Sequence, residues 1–125
     1  MSSLADLPAN VQAALANAFD EVKVAAGQRI ASQGDFAYEF FAIDEGTARI
    51  EQGGRVVATV GPGELMGEIG LMLTGRRTAA IIAETPMGLL AMFEQNFRRM
   101  CAQHREFVDA VRGQGRDRFT RPANV

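Results

Sequence analysis

At 125 residues, 47% hydrophobic and 22% charged, the chain has the size and composition of one soluble globular domain. No apolar run approaches the ~20 residues needed to cross a bilayer, and no signal-peptide pattern opens the chain. A lone cysteine, Cys101, excludes an intrachain disulfide and fits a reducing, cytoplasmic setting.

The net charge of −2 is unevenly spread: residues 1–75 carry 4 basic and 10 acidic side chains, residues 76–125 carry 9 and 5. Asp6 and Leu7 lead into Pro8, a residue suited to a first helical turn, and Val11, Leu15 and Phe19 then recur on one helical face. A short helix over about 6–19 is expected. From 20 to 93 the pattern becomes short apolar or alternating runs punctuated by glycine turns, which points to an all-β unit. Strands are expected at 21–25, 29–31, 39–43, 48–52, 56–60, 78–83 and 88–93. Gly53-Gly54 between two of them is a hairpin signal. Strands at this spacing suit a sandwich, roll or barrel. Asp44 and Glu45 are adjacent, so in a strand they would point apart; a turn is expected there.

Beyond Phe93 the chain reads as a helical turn or two at 95–101 and a longer helix at 104–119, with Phe107, Val108 and Val111 on one side. Gly113 and Gly115 weaken its second half, each by about 1 kcal/mol relative to alanine. The basic residues here alternate with Glu94, Glu106 and Asp109, as on a solvated helix face rather than a duplex-binding stripe. Residues 120–125 read as a tail. His104 is the only histidine, so no multi-histidine metal site can be assembled, and it is expected on the surface at a helix start. Cys101 beside Met100 reads as packing rather than as a reactive thiol.

Within the β unit, residues 63–80 carry the chemistry. A glycine-flanked turn enters one short helical turn, whose N–H groups suit an anion, and above all a phosphate. Arg77 adds a planar, permanently charged fork matched to phosphate geometry. Glu68 would repel phosphate, but suits a neutral hydroxyl of the same ligand. Acid and base together suggest a sugar phosphate. Arg76 reads as a surface residue.

Gly67-Glu68-Ile69-Gly70-Leu71, followed by Arg77-Thr78-Ala79, resembles the cassette of the cyclic-nucleotide-binding domain family. The upstream segments Ala26-Gly27-Gln28-Arg29-Ile30, Gln33-Gly34-Asp35 and Phe41-Ala42-Ile43-Asp44-Glu45-Gly46 are similar to further landmarks of that family, in the same order. The resemblance covers about 4–119. It implies an antiparallel, jelly-roll-like β-roll with an N-terminal helix (1–19), a roll (20–93) and C-terminal hinge and lid helices (94–119), all in one domain.

The resemblance also implies roles. Arg77 would pair with the cyclic phosphate, Glu68 would accept the ribose 2′-hydroxyl, and the N–H groups of Gly67, Glu68, Ile69 and Gly70 would complete the cradle. Gly70, where the family often has alanine, would loosen the turn. Thr78 would donate to the phosphate or to the amine of a syn guanine, or would simply open a strand. By similarity to the gated-channel members, Ile50, Ala58 and Val60 would line the purine, ordinary core packing being the other reading for Ile50 and Val60. Arg118 would cap the base, or be a solvated charge.

The implied protein is a non-catalytic sensor for cyclic AMP ahead of cyclic GMP, without a metal or other cofactor, whose C-terminal helix closes over the ligand. The alternative is the same fold without nucleotide binding, serving as a protein-interaction scaffold. No nucleic acid or membrane partner is expected, because the chain ends just after the lid helix and has no room for a helix-turn-helix, channel helices or a catalytic domain. An effector domain or partner protein would receive the signal. Self-association through the apolar side of 104–119 is a further expectation.

Overall fold

In a computed structural model of the chain, residues 4–68 and 70–119 are described, 114–119 by their backbone alone. A 3-10 turn (Leu4–Asp6) precedes helix α1 (Ala9–Ala18). Eight strands follow: β1 (Asp20–Val24), β2 (Arg29–Ala31), β3 (Glu39–Glu45), β4 (Ala48–Gln52), β5 (Arg55–Val60), β6 (Leu65–Met66), β7 (Ala80–Ala83) and β8 (Met87–Phe93). A five-residue π-helical turn (Gly70–Thr74) sits between β6 and β7, and helices α2 (Glu94–Gln103) and α3 (Arg105–Phe119) close the chain. The seven anticipated strands all form, within two residues of their anticipated ends. The eighth, β6, is two residues long, too short for any alternation to announce it.

The strands make two antiparallel sheets, β1-β8-β3-β6 and β2-β7-β4-β5. This is the β-roll that the resemblance implied. Alternation along β3 explains how three layers are held together. Phe41 and Ile43 face the cluster between the sheets, with Val24, Ile50, Val60, Ile81 and Leu89, whereas Phe40 and Ala42 face the helices. β8 does the same, Leu89 and Ala91 inward, Leu90 and Met92 outward. Both strands are covered on both faces, so each reads as an unbroken apolar run.

The outer cluster is built on aromatic rings. Phe40, fully buried, has its ring centroid 5.1 Å from Phe97, 5.9 Å from Phe107 and 6.2 Å from Phe19. Val11 and Leu15 of α1 bury the face that the i, i+4 spacing marked. Pro8 stands just outside α1 rather than in its first turn, and its carbonyl accepts from the N–H groups of Val11 and Gln12, both at 3.0 Å. Phe107 and Val111 bring α3 onto the same cluster, and Ala110 is buried too. Through Gly113, the apolar side of α3 is thus packed inside the chain. The helical backbone runs on to Phe119 through both glycines.

Local turns refine other expectations. Gly53 and Gly54 have φ of 59° and 79°, the left-handed pair a two-residue hairpin between Gln52 and Arg55 needs. Asp44 and Glu45 are the exposed end of β3, with a register shift between Ile43 and Glu45, and Gly46 makes the turn instead. His104 is half-buried at the α2–α3 junction rather than fully on the surface; its N–H donates to Met100 and its carbonyl accepts from Phe107 at 3.1 Å. Cys101 is half-buried against the outer cluster, and burial pushes its thiol pKa up against the opposing pull of Arg112 and Arg98, as befits a packing residue.

Phe40→Ala should remove the centre of the outer cluster and cost about 3–5 kcal/mol, lowering the urea midpoint at unchanged slope. A loss below about 1 kcal/mol would mean that the helices do not depend on this ring.

Candidate functional site

The 63–80 segment hangs from β3. Gly63 N–H donates to the Ile43 carbonyl at 2.9 Å, Ile43 N–H to the Glu64 carbonyl at 3.0 Å, and β6 then pairs Leu65 with Ala42 and Met66 with Phe41. Glu64 fixes the preceding turn by accepting from Gly61 N–H at 2.7 Å. Gly67, at φ 92°, turns the chain sharply into the helical segment, where Leu71 N–H reaches the Gly67 carbonyl at 3.1 Å. Gly75 N–H bonds the Gly70 carbonyl at 2.7 Å, a five-residue reach that makes this turn π rather than α. Such turns are rare and concentrate at functional sites.

After Gly75 the chain runs antiparallel to the segment before β3. Ala37 N–H donates to Gly75 (2.9 Å), Arg77 N–H to Asp35 (2.7 Å) and Gly34 N–H to Arg77 (2.9 Å), with Phe36 and Arg76 bridged. These bonds fix the backbone of Arg77 before its side chain is considered.

Glu68 and Arg77 are the two buried charged residues among those described, at 2% and 7% exposure. Both flank Gly67. A β-carbon there would overlap Arg77 Nη1 and come within 2.9 Å of the Glu39 carbonyl. Arg77 Nη2 donates to that carbonyl at 2.8 Å, and its Cζ stands 5.2 Å from the Phe41 ring centroid. Nη1 is buried and has no acceptor among the described residues. Burial pulls the Arg77 pKa below its ordinary value, while the charges of Glu39 and Asp35 pull it back up. Leaving such a desolvated donor unmatched by the described residues costs roughly 1–3 kcal/mol or more.

A cavity of about 500 Å³ opens beside Arg77, lined by Ile30, Ala31, Gly34, Asp35, Phe36, Tyr38, Glu39 and Arg76. Its size suits a small ligand. A second cavity of about 490 Å³, between α1 and the outer face of the first sheet, has only acids among its charged lining residues, Glu21 and Asp44. Among the described residues no cluster of histidine, cysteine or acids could hold a metal ion.

The other residues singled out in the sequence lie as follows. Thr78 is half-buried just before β7, and its carbonyl accepts from Gln52 Nε2 at 3.2 Å. Ile50 and Ala58 are direct cross-strand partners on β4 and β5, and Val60 pairs with Ala48. Ile50 and Val60 are 0% and 2% exposed in the inner cluster, with Ala58 packed against it; none of the three lines the cavity beside Arg77. Ile69 and the side chain of Arg118 lie outside the described residues. Gly70 differs from expectation: a β-carbon would come within 2.9 Å of the Arg76 carbonyl and 3.0 Å of Ala37 Cβ, so this glycine permits tight packing rather than a loose turn. Arg76 is exposed, as expected, with its Cζ 4.2 Å from the Phe36 ring centroid.

Gly70→Ala should therefore destabilise the chain by about 1–3 kcal/mol through overpacking. Urea denaturation of the variant without ligand checks this; an unchanged midpoint would show that the turn has room.

The family model for the cyclic nucleotide-binding domain matches residues 21–104. The chain is 36% identical over 84 residues to a cAMP-dependent protein kinase regulatory subunit of Eremothecium gossypii, covering 67% of this chain and 18% of that protein. It is 30% identical over 106 residues to the Schizosaccharomyces pombe regulatory subunit, covering 84% and 25%. The fold is similar to that of the Thermus thermophilus catabolite activator protein, with a TM-score of 0.82 at 27% identity over 94% of this chain and 57% of that one. The chain thus spans a quarter or less of those two curated relatives. The family model spans more than half of the chain and the two-sheet roll agrees with it, so the chain belongs to the cyclic nucleotide-binding domain family, a regulatory module.

Proposed function

We propose that this domain is a non-catalytic sensor that binds a cyclic purine mononucleotide, cyclic AMP ahead of cyclic GMP. The observation that carries the reading is Arg77: a buried guanidinium, fixed at the Gly67 turn, with Nη1 lacking an acceptor among the described residues. A cyclic phosphate supplies both the acceptor and the countercharge. Glu68 takes the ribose 2′-hydroxyl, and the backbone N–H groups of Gly67, Glu68, Ile69 and Gly70 complete the cradle, with Thr78 at its edge. Ile50, Ala58 and Val60 stiffen the wall behind the ligand. The names of the curated relatives, regulatory subunits of a cAMP-dependent kinase, support cyclic AMP as the ligand.

Signal output follows from packing. Leu71 in the π turn belongs to the same outer cluster as Phe107 and Val111 of α3. A ligand that shifts the turn changes the seat of α3 and biases it between open and closed positions, with Arg118 brought over the base. An effector domain or partner protein reads that position.

Arg77→Ala should cost several kcal/mol of cyclic AMP affinity by calorimetry, because a desolvated phosphate loses its charged partner. Glu68→Ala should cost less, on the order of 1–3 kcal/mol for a charged hydrogen bond. Binding by Arg77→Ala equal to that of the parent would place the phosphate elsewhere. Hydrogen exchange over 110–119 should slow with cyclic AMP; equal protection in both states would remove the lid from the mechanism.

A further inference from the structure

The cavity between α1 and the first sheet is lined by none of the residues that the proposed function uses to hold the nucleotide. Strand pairing decides what its floor carries. Glu21 of β1 and Ala42 of β3 both stand opposite Leu90 of β8, and Ala42 stands opposite Leu65 of β6. Glu21, Leu90, Ala42 and Leu65 therefore form one row across all four strands. Cross-strand partners share a face, and the three apolar members belong to the outer cluster, so Glu21 is on the helix-facing side with them. The whole row lines the cavity, together with Asp44 at the end of β3 and Leu15 and Phe19 of α1. Gln12 Nε2 donates to the Leu4 carbonyl at 2.7 Å, which ties the 3-10 turn to α1 as a further wall.

The cavity is thus apolar along its length and acidic where the two carboxylates stand. No lysine or arginine is among its lining residues. Among the described residues neither Glu21 nor Asp44 makes an ion pair, whereas Lys23, two residues along β1 from Glu21, is paired with Glu45 at 3.4 Å. At about 490 Å³ the cavity has the volume of a small-molecule site, and such sites combine apolar walls with a few polar groups that fix orientation. Both carboxylates repel an anion, and a neutral apolar molecule leaves them unused.

We infer that this cavity is a separate binding site for a small organic cation with an apolar body and one ammonium group. The body lies against Leu15, Leu65 and Leu90, and the ammonium sits at the Glu21 and Asp44 carboxylates. The site stands whether or not the chain binds a nucleotide, because the two cavities share no lining residue.

Three probes with the same phenethyl body and different heads test it: 2-phenylethylammonium, 2-phenylethanol and 3-phenylpropanoate. Each is titrated at low salt into the full chain while the methyl signals of Leu15, Leu65 and Leu90 are followed by NMR. The ammonium should shift them saturably and bind at least about threefold tighter than the alcohol, with the carboxylate weakest. Added salt should narrow that gap, because it screens exposed charges. The variant Glu21→Gln/Asp44→Asn changes two exposed positions, so its urea midpoint should match the parent, and it should bind ammonium and alcohol alike. No saturable shift with the ammonium, equal binding of ammonium and alcohol by the parent, or a preference for the ammonium that survives in the variant overturns the assignment.

Discussion

A charge taken out of water organises this domain. Arg77 keeps 7% of its surface exposed, and burial lowers its pKa against the pull of Glu39 and Asp35. The Glu39 carbonyl satisfies one guanidinium nitrogen. Burying a cation without full pairing costs several kcal/mol, and a fold tolerates that only when the surroundings leave the side chain no alternative. Here they leave none. The backbone of Arg77 is hydrogen-bonded on both sides to 34–35, Phe41 stands beside its guanidinium, and Gly67 leaves the space its Nη1 occupies. That expense has a purpose once an anion is the partner, because a pre-oriented, dry guanidinium binds phosphate without first being ordered or desolvated.

The same constraint explains the architecture around it. β3 and β8 present alternate side chains to two different clusters, so the inner cluster between the sheets and the outer cluster under the helices share one layer. The 63–80 segment is pinned to β3 by β6 on one side and to the segment before β3 by Gly75 and Arg77 on the other. Leu71 then reaches into the outer cluster beside Phe107. Packed side chains rather than charges thus connect the turn to the C-terminal helix. Dense packing resists continuous deformation, so the movement of α3 in the proposed function would be a switch between discrete seats.

Much of this was legible in the residues. Gly53-Gly54, the i, i+4 face of α1 and the apolar runs at 39–43 and 88–93 located their elements, because each depends on local geometry alone. Glu68 and Arg77 stood out because charges of those types beside a glycine turn have few structural uses. What stayed hidden depended on through-space neighbours. β6 is two residues long and exists only through its pairing with β3. Gly70 looked like a loosening substitution, and only the approach of Ala37 and the Arg76 carbonyl shows it as a close contact. Ile50 and Val60 could be pocket or core by pattern, because a wall residue and a buried one are both apolar.

The central claim is that a buried arginine and a glycine turn form a receptor for a cyclic nucleotide. The most direct measurement is a calorimetric titration of cyclic AMP, and in parallel cyclic GMP, into the same sample of the unmodified chain. Saturable one-to-one binding of cyclic AMP, at least as tight as that of cyclic GMP, is the expected result. No heat and no saturation with either nucleotide at millimolar concentration would contradict it, and would leave the fold as a scaffold for protein contacts.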